Sequence, residues 1–540
     1  MTEWRLAVRR RGTVVPVNAT DATVTTGDDG SGFWLDVTPG ASELELDHLV
    51  IRLPAAVAPG ELAWLSGYQT WSESQVRPLR AARRPLHPVG RLFKFDRYGD
   101  AAIATGQRDP RAECSHEVLA VQNTDGAQLW GSRLGFDAYT IIEVGRGELR
   151  IVVDVAGRRL EPGRTVRVAW IDHREGEHAP ELLRAWAASI ATARPAGPVT
   201  GWTSWYRYYN DIDAPRLTGE IDVLAASGVR FDVFQIDDGW QARVGDWTTF
   251  APGFPDGVAP LAASARRAGM RPGLWLAPFV AARDSDLAEQ HPDWLLRDDR
   301  GHRVPAGWNP GWKGTFHALD LEHPEVLEYL AGVIRTARDV WGFDFFKLDF
   351  LYAAALDGRP GATRAQRMRR AVTLLREWCG DAVMLGCGVP LVSAAGLVDY
   401  CRVGADVAAR WEDPVQRALR YPERISTVSS MRSSLARAWM DGTWFGNDPD
   451  VVILRTDDTR LTDAERRALF TVNTTLGSLV FVSDDIAGYD DATTALLAGW
   501  DPPGAAVVRQ HCRAGGVDHL VTDRGALGLA LGDGTGRVVG

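Results

Sequence analysis

Short polar clusters, most of them carrying carboxylates, close a series of apolar runs in this sequence. Gln235-Ile236-Asp237-Asp238-Gly239-Trp240, Lys347-Leu348-Asp349-Phe350, Arg402-Val403-Gly404-Ala405-Asp406, Gly446-Asn447-Asp448 and Ser483-Asp484-Asp485 each follow such a run. One Asp after a strand is ordinary, because it caps the next helix. A whole set converging on one rim is not explained that way. Nor does capping explain Lys347, two residues before Asp349. In a strand that spacing puts both side chains on one face, where a barrel interior normally holds Val, Ile or Leu. Paired carboxylates can supply an acid/base and a nucleophile. Clustered Asp can also hold Mg²⁺ or Ca²⁺, but Lys347 and Arg402 inside the cluster would repel a cation. No metal or other cofactor is expected.

Elements must position these groups, and their rhythm changes along the chain. Up to about residue 178, short β-like runs (32–37, 44–53, 149–155, 166–171) are separated by Gly- and Pro-rich turns, the texture of an antiparallel β-sandwich. A helical pattern over 180–193 leads into Arg194-Pro195-Ala196-Gly197-Pro198, a boundary. Beyond it, strands are predicted at 200–205, 231–236, 272–277, 344–348, 383–386, 400–403, 443–445 and 478–482. Helical stretches at 258–268, 324–340, 362–379 and 462–475 lie between them. Eight alternations of this kind match a (β/α)₈ TIM barrel, whose chemistry sits at the strand ends. A doubly wound sheet is the competing layout, but no Gly-rich phosphate fingerprint follows the first strand. The tail from about 485 carries a further β-like run at 516–522.

Composition limits the ligand. A formal net charge of −10 argues against nucleic acid. No window approaches 18 uncharged apolar residues, so no membrane span is expected. The first residues lack the apolar core of a secretory signal. Five cysteines, with no C-x-x-C pair, give neither a disulfide framework nor a zinc site; a reduced, cytoplasmic setting is the simplest expectation. There are 21 Trp, and of 60 basic residues only Lys94, Lys313 and Lys347 are lysine. Carboxylates accept hydrogen bonds from hydroxyls, and Trp faces stack on the C–H face of a sugar ring. A neutral sugar fits both, and glycoside hydrolysis is the reaction that uses two carboxylates on it.

The residues then become familiar. Trp202-Thr203-Ser204-Trp205-Tyr206, Phe234-Gln235-Ile236-Asp237-Asp238-Gly239-Trp240, Gly245-Asp246-Trp247, Gly273-Leu274-Trp275-Leu276-Ala277-Pro278, His291-Pro292-Asp293-Trp294, Ala318-Leu319-Asp320-Leu321 and Lys347-Leu348-Asp349-Phe350 run in order. Gly386-Cys387-Gly388, then Arg402 to Asp406, with Trp411 after them, continue the series, and Gly67-Tyr68-Gln69-Thr70-Trp71-Ser72 extends it weakly upstream. Together they resemble glycoside hydrolase family 36, the retaining α-galactosidases. The resemblance implies a multidomain α/β chain. An N-terminal antiparallel β-sandwich would occupy 1–178, a helical linker 179–198, a central barrel 199–484, and a small C-terminal antiparallel β-domain 485–540. It implies Asp349 as nucleophile and Asp406 as acid/base. Asp237 and Asp238 would hold the galactose 4- and 6-hydroxyls. Lys347 and Arg402 would bind ring hydroxyls, and Cys387 would lie near the 2-position. Trp205, Trp275 and Trp71 would wall the pocket, and Trp411 joins the substrate-binding set. The implied substrate is a small galacto-oligosaccharide such as melibiose or raffinose. α-N-Acetylgalactosaminidase, another α-glycosidase or a transglycosylase are the neighbouring alternatives, and an inactive carbohydrate-binding protein the non-enzymatic one.

These roles carry physical expectations. Lys347 and Arg402 should lower the pKa of Asp349. Asp406 should be raised relative to it. Retention requires the two carboxyl groups to stand about 5–5.5 Å apart. Trp202, Trp341, Trp378 and Trp439 are expected in the core, Lys94 on the exposed face of a strand, and Asp399 and Asp413 at the surface or as caps. The Trp308–Trp312 loop is assigned to substrate contact, with subunit packing, and so a homo-oligomer, as the second use.

Overall fold

The computed structural model describes residues 2–10, 13–80, 84–99, 109, 111–145, 147–194, 196–356, 361–499, 504–532 and 534–539. Pro195 of the boundary cluster lies outside them. The N-terminal part is built from two antiparallel sheets of seven strands each. Alternation makes them pack: Leu49, Ile51 and Leu53 of strand Leu44–Pro54 point to one face, a register break around Asp47 returns Leu46 to it, and Phe33, Leu35 and Val37 of strand Gly32–Thr38 meet them in a shared core. The helix Ala179–Ala188 leads out of this layer, shorter than its sequence pattern.

A ring of parallel strands follows: β1 Val199–Thr203, β2 Val233–Ile236, β3 Arg271–Leu276, β4 Phe345–Leu348, β5 Val383–Gly386, β6 Tyr400–Arg402, β7 Gly446–Asp448 continued by Val451–Val452, and β8 Leu479–Val482. Each pairs with its successor, and β1 pairs with β8. The first half of β7 pairs with β6 and its second half with β8, while the Ser478 N–H donates to the Asn447 carbonyl at 3.0 Å. The sheet thus closes as a TIM-like barrel. A four-stranded antiparallel sheet, Val508–Ala514, Val517–Thr522, Gly525–Leu531 and Gly536–Val539, ends the chain. Its Val508, Leu520, Leu529 and Leu531 pack with Leu469 and Val472 of helix Asp463–Leu476. Among the described residues, no helix is long and apolar enough to cross a membrane.

Three expectations change. The seventh strand is not 443–445 but starts three residues later, at Gly446. The apolar Trp444 faces the linker helix instead, donating from its indole to the Ala187 carbonyl at 3.0 Å and meeting the Trp186 ring at 5.6 Å. Lys94 is not on a strand. It joins two 3₁₀ turns, Pro88–Phe93 and Phe95–Arg97, with φ +58. The proline at the start of the first turn lacks the N–H a strand ladder would need. Asp399 is neither surface nor cap. It is buried between Arg194 and Arg376, at 3.0 and 2.9 Å. Asp413 does cap, accepting from the Val415 and Gln416 amides at 2.9 Å each.

Candidate active site

The β2, β4, β5 and β6 ends bring the predicted residues into one buried cluster. Asp237, Asp349 and Cys387 each stand one residue past the end of their strand, and Asp406 four residues past the end of β6. On one side Lys347 Nζ donates to Asp237 Oδ2 at 2.7 Å, with only 7% and 3% of the two side chains exposed. Gln235 Nε2 adds a bond to the same oxygen at 3.2 Å. Burial is the largest single influence on Lys347 and would lower its pKa, but Asp237, with Asp349 and Cys387 behind it, together outweigh burial and hold the ammonium above its usual range. Asp238 accepts from Gln241 Nε2 at 2.6 Å and from the Trp312 indole at 2.7 Å. Burial pushes its carboxyl up, against those two donors.

Asp349 stands at the centre. The Trp275 indole donates to its Oδ2 at 3.1 Å and the Phe350 amide to its Oδ1 at 2.9 Å. Its pKa was expected to fall. It rises, because burial outweighs Lys347 and the hydrogen bonds from Cys387 and Trp275, and Asp406 opposes a second negative charge. Arg402 does not relieve this: its donors point to Asp406, Asp448 and Asp450. The Cys387 thiol is buried, its pKa pushed well up by burial and then by Asp349. The Trp71 indole donates to Cys387 Sγ at 3.2 Å. Trp71 itself comes from the sandwich. Its loop meets the β5 end where the Thr70 amide donates to the Val389 carbonyl at 3.1 Å and the Gly388 amide donates to Thr70 Oγ1 at 2.8 Å. Gly388, with φ +59, is required there: a Cβ would lie 2.8 Å from the Trp71 ring.

The third side holds Asp406, whose Oδ1 lies 3.1 Å from Arg402 Nη1 and whose side chain is 31% exposed. Trp205 opens helix Trp205–Tyr208 and meets Tyr209 edge-on at 5.2 Å. Burial and then Asp406 push the Tyr209 hydroxyl up. Trp411 is not brought to the cluster. Its indole donates to the Gly532 carbonyl at 2.8 Å, and Gly536 is pressed against its ring so closely that a Cβ would sit 2.1 Å away. It anchors the C-terminal sheet. Lys313, likewise, is 65% exposed and faces Asp284 at 3.6 Å.

The chain is similar to known proteins along most of this framework. The family model described as Melibiase matches residues 181–372. An α-galactosidase of Escherichia coli is 30% identical over 208 residues, 36% of this chain and 28% of that protein. An A type blood α-D-galactosamine galactosaminidase of Flavonifractor plautii is 32% identical over 161 residues, 28% of this chain and 14% of that one. The chain thus matches under a third of either curated relative. TtGalA, an α-galactosidase from Thermus thermophilus solved with p-nitrophenyl α-D-galactopyranoside, superposes with a TM-score of 0.75 at 30% identity, covering 97% of this chain and 98% of that one. This chain belongs to glycoside hydrolase family 36. A Geobacillus stearothermophilus member of family 36, at 14% identity and a TM-score of 0.60, shares the fold.

Some residues of this family 36 site take roles that the sequence alone did not assign them. Trp312 had a signal, its Gly/Pro-rich loop, and now proves to cap Asp238. Asp448 and Asp450 had one too, the string Asn447-Asp448-Pro449-Asp450, but the shifted strand hid their direction. Arg437 had none. Fully buried, it donates to the carbonyls of Thr70, Gln69, Ser72 and Val403 at 2.6 to 2.9 Å and so pins the loop that carries Trp71. Arg437→Leu should cost about 3 kcal/mol in chemical denaturation, since it strands buried carbonyls, and should raise KM as Trp71 loosens. Wild-type stability and KM would show that the loop holds without it.

Proposed function

We propose that this protein releases terminal α-linked galactose from small oligosaccharides such as melibiose or raffinose, with retention of configuration. The observation that carries this is Asp349, buried at the end of β4 with its Oδ2 accepting from the Trp275 indole at 3.1 Å, with a second carboxylate, Asp406, beyond the end of β6 two strands along the same barrel. In the first step the ionised Asp349 attacks the anomeric carbon, and the glycosidic C–O bond breaks as Asp406 gives its proton to the leaving oxygen. In the second, Asp406 takes a proton from water, the water oxygen bonds to that carbon, and the ester to Asp349 breaks. Asp237, with Lys347, and Asp238, with Trp312, hold sugar hydroxyls. Arg402 orients Asp406, and Trp71, Trp205 and Trp275 wall the pocket. Similarity to TtGalA, solved with an aryl galactoside and with stachyose, supports galactose as the sugar. So does the crowding of Cys387 by Trp71, which favours a bare 2-hydroxyl over an N-acetyl group. The free thiols of all five cysteines support a reducing, cytoplasmic setting.

A panel of p-nitrophenyl α-glycosides, with NMR of the first-formed anomer, tests the reading. Turnover of the α-galactoside with α-galactose appearing first is expected. Preference for the N-acetylgalactosaminide, or for the galactosaminide that the Flavonifractor relative is named for, or a β-anomer first, would overturn it. Asp406→Ala should slow melibiose by about 10²–10⁴-fold and a dinitrophenyl α-galactoside far less, because that leaving group departs without a proton. Equal losses would remove Asp406 from the acid role.

A further inference from the structure

Arg402 is shared by three carboxylates, and the reaction above uses only one. Its Nε donates to Asp448 Oδ2 at 3.2 Å and its Nη2 lies 2.8 Å from Asp450 Oδ1, both acids being essentially unexposed. Asp450 Oδ2 accepts the Tyr206 hydroxyl and, at 2.8 Å, the amide of Val407, the residue after Asp406. Asp450 therefore grips both the guanidinium that touches Asp406 and the backbone that carries it.

Its backbone is held in place at some cost. Asp450 has φ +80, a region non-glycine residues rarely occupy. It sits at the break between the two halves of β7, where Asp448 Oδ1 accepts its amide at 2.8 Å and Asn473 Nδ2 donates to the Val451 carbonyl at 3.0 Å. Strain of this kind persists where surrounding structure over-determines it, and it clusters at functional sites.

The chemistry supplies a reason. A general acid must carry its proton before the first step, yet a cation at contact distance lowers a carboxyl pKa by about 1–3 units. Arg402 beside Asp406 works against the acid unless its charge is met elsewhere. We propose that Asp450, backed by Tyr206, is a positioning residue that draws the charge of Arg402 away from Asp406 so that Asp406 holds its proton. This rests on Asp406 being the acid. The groups facing Asp450 are Arg402, Asp406, Asp448 and Tyr206. Those facing Asp406 are Arg402, Asp349, Asp450, Cys387, Tyr206, Tyr209 and Tyr421. The sign follows. Burial pushes the Asp450 carboxyl up to about 7 against Arg402, so it is charged above that pH; there, removing its charge strengthens the hold of Arg402 on Asp406 and takes away a like charge, and the alkaline limb of the acid step moves towards acid.

The test is the pH profile of kcat/KM on melibiose and on a dinitrophenyl α-galactoside, for the wild type, Asp450→Asn and Tyr206→Phe. Asp450→Asn keeps an acceptor for the Val407 amide. It should move the alkaline limb for melibiose about one unit towards acid and slow the dinitrophenyl substrate less. Tyr206→Phe makes the Asp450 carboxyl easier to protonate, and should shift the limb the same way by a smaller amount; it decides the matter if Asp450→Asn does not fold. Limbs that stay put, or equal losses on both substrates, would overturn the proposal. Asp406→Ala separates the two claims. If it spares the activated substrate while the limb does not move in the other variants, Asp406 is the acid and only the role of Asp450 fails.

Discussion

Asp349→Ala is expected to lose turnover by on the order of 10⁴-fold or more, the scale on which removal of a nucleophile acts. The side chain offers nothing replaceable: both oxygens are placed, one by the Trp275 indole and one by the Phe350 amide, and it is buried. Alanine leaves a hole facing the anomeric carbon. Azide, a small anion, should enter it and restore turnover of an activated aryl galactoside, yielding a glycosyl azide whose anomeric configuration NMR reads directly. With no enzymic carboxylate left to be displaced, a single displacement gives the β-azide. Wild-type-like turnover by the variant would remove Asp349 from the nucleophile role, and rescue giving the α-azide would contradict direct attack from its side.

Lys347→Met should bring the second-largest effect, on stability and activity together. Removing the ammonium leaves the Asp237 carboxylate buried and unpaired, at a cost of about 3–5 kcal/mol, readable by chemical denaturation. The pH dependence has a definite sign. A buried carboxylate that has lost its cation is penalised only while it is ionised, so the penalty fades as acid neutralises it. The deficit relative to wild type should therefore shrink on acidification. The double variant Lys347→Met/Asp237→Leu should regain much of the stability and none of the activity, because a buried pair can be replaced by apolar groups but sugar hydroxyls still need their partners. A single variant as stable as wild type would show that the pair contributes nothing. Lys347→Arg should fail too. In a chain with 60 basic residues and three lysines, the lysine kept here is a compact ammonium with a single short bond to Asp237, and a planar guanidinium fork does not fit that geometry.

Much of this was legible in order along the chain. The alternation of apolar runs and helical stretches is a local property, and it located seven of the barrel strands to within a few residues. The polar residues that end those strands, Asp237, Asp238, Lys347, Asp349, Cys387, Arg402 and Asp406, stand out because a strand-end position is the same in sequence and in space. The seventh strand was displaced because burial, which the apolar Trp444 signals, was mistaken for strand pairing; it is buried against a helix from a distant part of the chain.

The sequence by itself therefore determined which residues reach the rim and what chemistry their types allow. Only the tertiary structure decided how they share charge. The tilt of the Asp349 pKa reversed because desolvation depends on everything packed around a group, whereas a motif shows only its neighbours in the chain. The same holds for Arg437, which binds four carbonyls and no carboxylate, and for Trp411, turned to the C-terminal sheet. Arg402 is the clearest case. It precedes Asp406 by four residues, but the acids that balance it come from the broken seventh strand, which the parallel pairing of β6 with β7 sets beside it, Arg402 opposite Asp448.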